Sequence, residues 1–507
     1  MRYVVGLDVS TTGVKAVLVD ETGAVRGSVT REHGLATPHP LWSEQNPADW
    51  WDGAQAAIST LLARGGIAKN RIMAVGLTGQ MHGLVLLDSG GDIIRPAILW
   101  NDQRTAAECD TIRHAIDRDE LIKLTGNDAL TGLTLPKLLW VRENEPDAYE
   151  RIAHILLPKD YIRYRLTNGF ATDKAGAAGT LMLDLASREW SERIRSAFDV
   201  PAGWLPPTHE GPTITGTISR AGSEATGLPE GVPVVAGAGD QAAQAIGVGA
   251  VRPGDASITI GTSGVVFCST NGAIVDPKGR LQAFCHGIPD RWHLMGVMLS
   301  AAGSLRWFRD TVAPDMSYSS LGESAVESDP TSGGLLFLPY LSGERMPYPD
   351  PFIRGGFLGL TSRHTRSDMV RAIMEGVSYG LRDGMMLLSQ LLEPACTSIR
   401  VSGGGAQSPL WLRILASVLD APLCRVSNHE GAAQGAALLA GIGSGLWSSV
   451  DEACDAAVSV DTQVEPDPHW AKFYTEGYRL YRASYSAIQQ TCYQLGDLER
   501  KCIGNAA

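Results

Sequence analysis

Residues 5 to 20, "VGLDVSTTGVKAVLVD", read as an apolar strand, a bend of small hydroxyl residues and a second apolar strand. The same shape returns at "ASITIGTSGVVFCST" from residue 256, where Thr262-Ser263-Gly264-Val265 lines up with Thr11-Thr12-Gly13-Val14. The copies lie about half of the 507-residue chain apart. A strand–turn–strand unit repeated at that spacing predicts a duplicated fold, one hairpin to each half, with a cleft between the halves. The copies differ in chemistry. Thr259 stands opposite Asp8, so the carboxylate belongs to one half only.

The intervening pattern fixes the class. Strand-rich and helix-rich stretches alternate, which predicts an α/β architecture. "PADWWDGAQAAISTLLARGG" reads as a helix with Asn46 as N-cap, Pro47 in the first turn and Gly65 near the stop. Strands follow at "IMAVGLTG" and "GLVLLD", and helical periodicity dominates from about residue 104 to 166. Gly and Pro cluster in "GVGAVRPGDAS", residues 247 to 257, and mark a boundary. The expected division is 1–247, 248–460 and a tail of 461–507 that ends in a helix. In that tail Tyr474, Tyr478, Tyr481, Tyr485 and Ile488 recur at helical steps, a packing face.

A formal net charge of −12 excludes nucleic acid as the main partner, because a phosphate backbone calls for a basic face. A small phosphorylated ligand stays compatible, since a few local groups hold it. The eight cysteines show no paired metal-ligand spacing and read as reduced thiols of a cytoplasmic protein. Asp8 comes too early for the apolar core of a secretory signal, and no apolar run approaches 18 residues, so no membrane span is expected.

Six short stretches carry chemistry. In the first bend, Asp8, Ser10, Thr11 and Thr12 suit either a self-capping turn or a phosphate site. With a second such turn at Gly261 and Thr262, the pair makes a clamp for a polyphosphate, and Asp8 suits a hydrated Mg²⁺. "VPVVAGAGDQAAQAIGVG" runs from a strand through Gly237 and Gly239 to Asp240 and a small-residue helix. Asp240 there is either an N-cap or, at the carboxyl end of a strand, a base for an attacking sugar hydroxyl. In "SGGGAQSP", Gly403, Gly404 and Gly405 admit a flat ring to the backbone, with Ser408 as N-cap and Pro409 opening a helix. No GxxxxGK[ST] P-loop occurs. Finally, "GQMHG" and "LWNDQR" offer an apolar wall with convergent polar groups, which suits a polyol.

Together these stretches resemble the FGGY family of carbohydrate kinases, within the actin–hexokinase superfamily, and most resemble its bacterial xylulokinase branch. "PHPLWSEQNPADWW", "GQMHG", "RPAILWNDQR", "LLPKDYIRYRLTNGFATD", "GAGDQAAQAIGVG", "IGTSG", "FLPYLSGERMPY" and "SGGGAQS" carry the likeness. "GLTLPKLLWVREN" and residues 355 to 375 match the family's two signature patterns. The resemblance implies two ribonuclease H-like domains with the catalytic cleft between them, whose closure excludes water. The first would hold the sugar and the first phosphate hairpin, the second the nucleotide. It also implies ATP, Mg²⁺ and phosphorylation of D-xylulose at its C5 hydroxyl, in a cytoplasmic enzyme for which a homodimer is compatible. Asp240 would be the general base and Asp8 the metal- and phosphate-facing carboxylate. Gln80, Met81, His82, Trp100, Asn101, Asp240 and Gln241 would face the sugar. Thr11, Thr12, Gly261, Thr262, Gly404, Gly405 and Ser408 would face the nucleotide.

Glycerol kinases carry Arg-Glu at the place of Met81-His82, so "QMH" favours a ketopentose. D-ribulose, L-xylulose or a pentitol stay open as the sugar. A non-catalytic sugar- or nucleotide-sensing relative and an actin-like assembly protein are the competing classes. Two residues depart from the family pattern: Ser10 stands where Gly is usual, and Ser408 where several relatives place Asn.

Overall fold

The computed structural model describes residues 1–504 except 67, 394, 395, 397, 428 and 429, with side chains through residue 501. It divides into two compact units. The first comprises Met1–Pro253, Ser269–His293 and Glu430–Ser459; the second comprises Gly254–Cys268, Leu294–His429 and Val460–Ala507. Neither is contiguous in sequence, so the compact units interleave where the expected division of 1–247, 248–460 and 461–507 is sequential. The physical reason is a helix, Gly431–Gly443, that returns to pack on strands of the first unit.

The sheet of the first unit contains β1 (Tyr3–Val9), β2 (Gly13–Asp20), β3 (Val25–Glu32), β4 (Ile72–Gly79), β5 (Ile214–Thr217), β6 (Pro233–Val235) and β7 (Ala238–Gly239). Its order is β5-β6-β4-β1-β2-β3, with β7 also pairing β4. β1 runs antiparallel to β2 and parallel to β4. β1 is apolar on both faces, as a strand covered by helices on both sides must be. Val5, Leu7 and Val9 join Trp50, Ala54, Ile58 and Leu61 of the helix Pro47–Gly65. That helix is capped by Asn46, whose side chain accepts from the Ala48 N–H, as its sequence predicts. Val4 faces the opposite side, toward Ala243, Ile246, Ala433 and Ala437.

Strand alternation puts Gly6 and Asp8 on that second face too. A Cβ on Gly6 would sit 1.9 Å from the Ala433 carbonyl oxygen, and one on Gly76 of β4 1.8 Å from that of Ala436. The missing side chains therefore let the helix Gly431–Gly443 lie directly on the sheet. Asp8 then emerges just past the point of closest approach, beside the start of the helix Asp240–Gly247.

In the second unit, β8 (Asp255–Ile260), β9 (Gly264–Thr270), β10 (Trp292–Met298), β11 (Ser398–Ser402), β12 (Leu423–Val426) and β13 (Val460–Val464) run in the order β10-β9-β8-β11-β12-β13. The duplication is plain in the pairing. Each unit centres on a hairpin whose first strand also pairs in parallel with a third strand, β4 in one and β11 in the other. The turns are not equal: Val9 faces Val14, whereas Ile260 faces Gly264, so the second turn is one residue shorter.

The tyrosine stripe packs as its spacing predicts, within the helix Pro468–Gly504. Tyr474, Tyr478 and Tyr481 are buried, Tyr474 bonding Arg371 and Glu375, and Tyr478 bonding Asp383. The seven described cysteines carry no disulfide among the described residues, and Cys502 lies outside the described side chains. Among the described residues no helix is long and apolar enough to cross a membrane.

Candidate active site

In the first unit three strands end side by side. β1 delivers Asp8 and the hydroxyl turn, β4 runs into Gln80-Met81-His82, and β7 ends at Gly239, immediately before Asp240. Ligands of α/β sheets gather outside such carboxyl ends. Asp240 is not the N-cap. Gly239, which has no side chain to cap with, holds that position, and Asp240 is the first helical residue. The hydrogen bonds on its carboxylate come from Gln241.

Burial and the nearby charge of Asp8 raise the pKa of Asp240 to about 7, against hydrogen bonds from Gln241 that oppose the rise. Burial alone lifts Asp8 to about 6, opposed by the charge of Lys15, its cross-strand partner. Two carboxylates that resist ionisation together are what a site for a cation and a proton acceptor requires. Asp8 Oδ1 and the hydroxyl of Thr78, at facing positions of β1 and β4, are buried without a hydrogen-bond partner among the described residues. No group of three or more His, Cys, Asp or Glu capable of holding a metal occurs among the described residues. The unpartnered Asp8 oxygen fits a Mg²⁺ that keeps water and phosphate oxygens in its shell, and Asp8 is the residue that would hold it.

The hydroxyl turn is well ordered by its own bonds. Ser10 directs both its N–H and its hydroxyl to the Gly13 carbonyl, at 3.0 and 2.8 Å. It is absent from the residues of positive φ, so no left-handed backbone calls for the usual glycine here. Thr11 donates its hydroxyl proton to Gln80 Oε1 (3.1 Å) and accepts from the Trp100 indole (2.9 Å), while Thr12 is exposed.

Beyond the end of β4, His82 has φ of 69°, and its Nδ1 lies 2.6 Å from the Gly179 carbonyl. A carbonyl only accepts, so Nδ1 carries a proton. The unusual backbone at His82 is clamped from below. Its carbonyl accepts from Lys137 Nζ (2.9 Å) and Thr134 Oγ1 (3.0 Å), and Lys137 also reaches the Gly132 carbonyl (2.8 Å). Lys137 is fully buried, and that burial drives its ammonium well below the usual lysine range. Asn101 leaves its Oδ1 buried without a hydrogen-bond partner among the described residues, at a shallow recess of about 470 Å³ bounded by Pro38, Leu41, Trp42 and Gln103.

In the second unit, a cavity of about 740 Å³ is lined by Gly261, Thr262, Arg306, Tyr318, Gly404 and Ser408, among others. That size suits a nucleotide. The three glycines there have different reasons. Gly403 has φ of 91°, and a Cβ on Gly405 would lie 2.4 Å from Ile260 Cγ2, so both permit packing against β8. Only Gly404 would point a Cβ into open space. Ser408 caps the helix Pro409–Leu419 through the Trp411 N–H, as its sequence predicts. Arg306 donates to Thr262 Oγ1 at 2.6 Å, placing a guanidinium on the second hairpin.

The sequence-predicted residues thus fall into two groups: Asp8, Thr11, Thr12, Gln80, Met81, His82, Trp100, Asn101, Asp240 and Gln241 in the first unit, and Gly261, Thr262, Gly404, Gly405 and Ser408 in the second. Thr78, Lys137, Arg306 and Gln45 were not among them. Lys137 lies within a signature pattern and Gln45 within "WSEQNP", so the signal for both was present; single positions 78 and 306 carried none.

Comparison with known proteins identifies the family. Family models for the N-terminal and C-terminal domains of the FGGY family of carbohydrate kinases match residues 3–247 and 256–444. A xylulose kinase of Escherichia coli K12 is 41% identical over 450 residues, covering 88% of this chain and 91% of its own. One from Bacillus subtilis is 37% identical over 487 residues, covering 96% and 97%. The crystal structure of a xylulose kinase from Rhodospirillum rubrum superposes with a TM-score of 0.90 at 32% identity, covering 97% of this chain and all of that one. The chain belongs to the FGGY family of carbohydrate kinases.

Proposed function

We propose that the protein transfers the γ-phosphoryl group of ATP to the C5 hydroxyl of D-xylulose, releasing ADP and D-xylulose 5-phosphate. The observation that carries the mechanism is the convergence of three strand ends. They bring the candidate base Asp240, the cation-facing Asp8 and the polar set Gln80-Met81-His82 to one end of a single sheet. The kinship with xylulose kinases supports the choice of sugar.

Asp240 accepts the proton of the attacking hydroxyl. A carboxylate with a pKa of about 7 suits this role, because a base works best when its pKa is near the operating pH. The protonated Nδ1 of His82, held by Gly179, fixes the ring so that Nε2 faces the sugar, and Lys137 keeps the backbone beneath it in place. Trp100 and Met81 supply the apolar wall. In the second unit Gly404 admits the adenine, while Gly261, Thr262 and Arg306 receive phosphate oxygens. Asp8 would hold a Mg²⁺ ion, which would supply positive charge against the phosphates. The substrates, ATP and a free ketopentose, set the reaction in the cytoplasm.

A coupled ADP-release assay over D-xylulose, D-ribulose, L-xylulose and pentitols tests the proposal. D-xylulose should give the highest kcat/KM. A higher value for another sugar overturns the substrate assignment, and no ADP release with any of them overturns the kinase mechanism.

A further inference from the structure

A buried chain of hydrogen bonds joins the hydroxyl turn to the sugar-facing residues, and Gln45 stands at its centre. Gln45 Nε2 donates to the Thr11 carbonyl (2.7 Å) and the Gly34 carbonyl (2.9 Å), with His33 Nδ1 at 3.1 Å. Its Oε1 accepts from the Trp50 indole (3.1 Å) and from Gln80 Nε2 (3.0 Å). Gln80 Oε1 in turn accepts the Thr11 hydroxyl proton, and Thr11 Oγ1 accepts from the Trp100 indole. Gln45, Trp50 and Gln80 are each no more than 3% exposed.

Every direction in this chain is determined. An indole N–H only donates and a backbone carbonyl only accepts, so Trp50 on one side and Thr11 and Gly34 on the other fix the Gln45 amide in one orientation. That orientation presents an acceptor to Gln80, so Gln80 must turn its NH₂ toward Gln45 and its oxygen toward Thr11. Thr11 must then donate to Gln80 rather than elsewhere. One Gln80 N–H and one Thr11 lone pair are left for a ligand.

We propose that Gln45 is a positioning residue for sugar binding, setting Gln80 as a donor and Thr11 as an acceptor toward adjacent oxygens of a polyol. It touches no substrate itself and acts through these two side chains. The inference rests on the placement of the sugar at Gln80, Met81 and His82. An amide free to flip would offer the sugar the wrong group half of the time and leave a buried atom unpaired.

The test is calorimetric binding of D-xylulose and of ADP, each alone, with steady-state kinetics, for Gln45→Met, Gln80→Met and the double variant. Gln45→Met should raise the sugar Kd and KM about 10-fold or more while the ADP Kd stays within about twofold, since a lost buried hydrogen-bond partner costs ~1–3 kcal/mol. The double variant should bind sugar no more weakly than Gln80→Met alone within about threefold, because residues acting through one another are non-additive. An unchanged sugar Kd in Gln45→Met, an equal loss of ADP affinity, or fully multiplicative effects overturn the inference. If Gln80→Met itself leaves the sugar Kd unchanged, the placement of the sugar fails and the inference fails with it. Should Gln45→Met not fold, Gln45→Leu carries the same test, since it likewise removes the acceptor toward Gln80. A purely structural role lowers the active fraction, and thus apparent kcat, and leaves KM and Kd unmoved.

Discussion

Asp240→Asn should make the protein more stable as well as inactive. Burial and the charge of Asp8 raise the Asp240 pKa from 3.8 to about 7. The folded state therefore holds a proton that the unfolded chain has released between these pH values. Stability is lost as pH rises from about 4 through about 7, and is flat beyond. At ~1.4 kcal/mol per pKa unit the ceiling on that loss is about 4 kcal/mol. Asp240 is only part-buried, so water screens the charge and about 1–3 kcal/mol is the realistic gain from removing it. Asn keeps a carbonyl oxygen for the Gln241 donors and adds little volume. For a domain of this size the gain corresponds to a rise in Tm of about 2–5 °C. The assay is calorimetry of the ligand-free protein and the variant at pH 8 and pH 5. The gain at pH 5 should be roughly a third of that at pH 8, because less of the titration has occurred. A variant less stable than its parent at pH 8, or a gain that does not depend on pH, would refute the reasoning.

Other outcomes follow from the same geometry. Asp8→Ala should raise the Mg²⁺ concentration needed for half-maximal rate about 10-fold or more; an unchanged Mg²⁺ titration removes Asp8 from the metal site. Gly404→Val should fold normally, since its new side chain enters open space, yet weaken ADP binding about 10-fold or more by filling the cavity. Sugar binding in that variant should be unchanged, and ADP affinity within twofold of the parent contradicts the assignment. Lys137→Met leaves the His82 carbonyl with one side-chain donor fewer, and should raise the D-xylulose KM about 5- to 50-fold. Equal KM values exclude a positioning role for Lys137.

Much of the architecture was legible because it depends on local pattern. The half-chain repeat predicted two related units, and Asn46, Pro47, Ser408 and Pro409 marked helix starts that the structure keeps. The shorter second turn escaped notice, because residues 261–264 align with 10–13 by type whether or not the pairing register shifts. The interleaving of the units has a topological reason. The helix Gly431–Gly443 lies far along the chain but fills the space above Gly6 and Gly76. Both of those glycines looked like ordinary strand residues.

The site was partly legible too. Asp8 and Asp240 stood out as carboxylates in glycine- and hydroxyl-rich turns, but whether Asp240 was a cap depended on one residue of helix boundary. The glycine run at 403–405 read as one feature and divides by contact into two packing positions and one open one. Ser10 departs from the family pattern, and its backbone shows that no positive φ is needed there. The hydrogen-bond chain from Trp50 to Trp100 was beyond reach of sequence, because its links connect residues up to 89 positions apart. Lone glutamines carry no sign of which partner they will meet.

The account turns on Asp240 as the base, and one comparison tests that directly. Turnover of D-xylulose by Asp240→Asn is measured at saturating ATP and Mg²⁺, alongside the Kd of D-xylulose and of ADP for the same preparation. The account predicts kcat lower by about 10²–10⁴ with both Kd values within a few-fold of the parent protein. A kcat within tenfold of the parent, in a variant that binds both ligands normally, would contradict it.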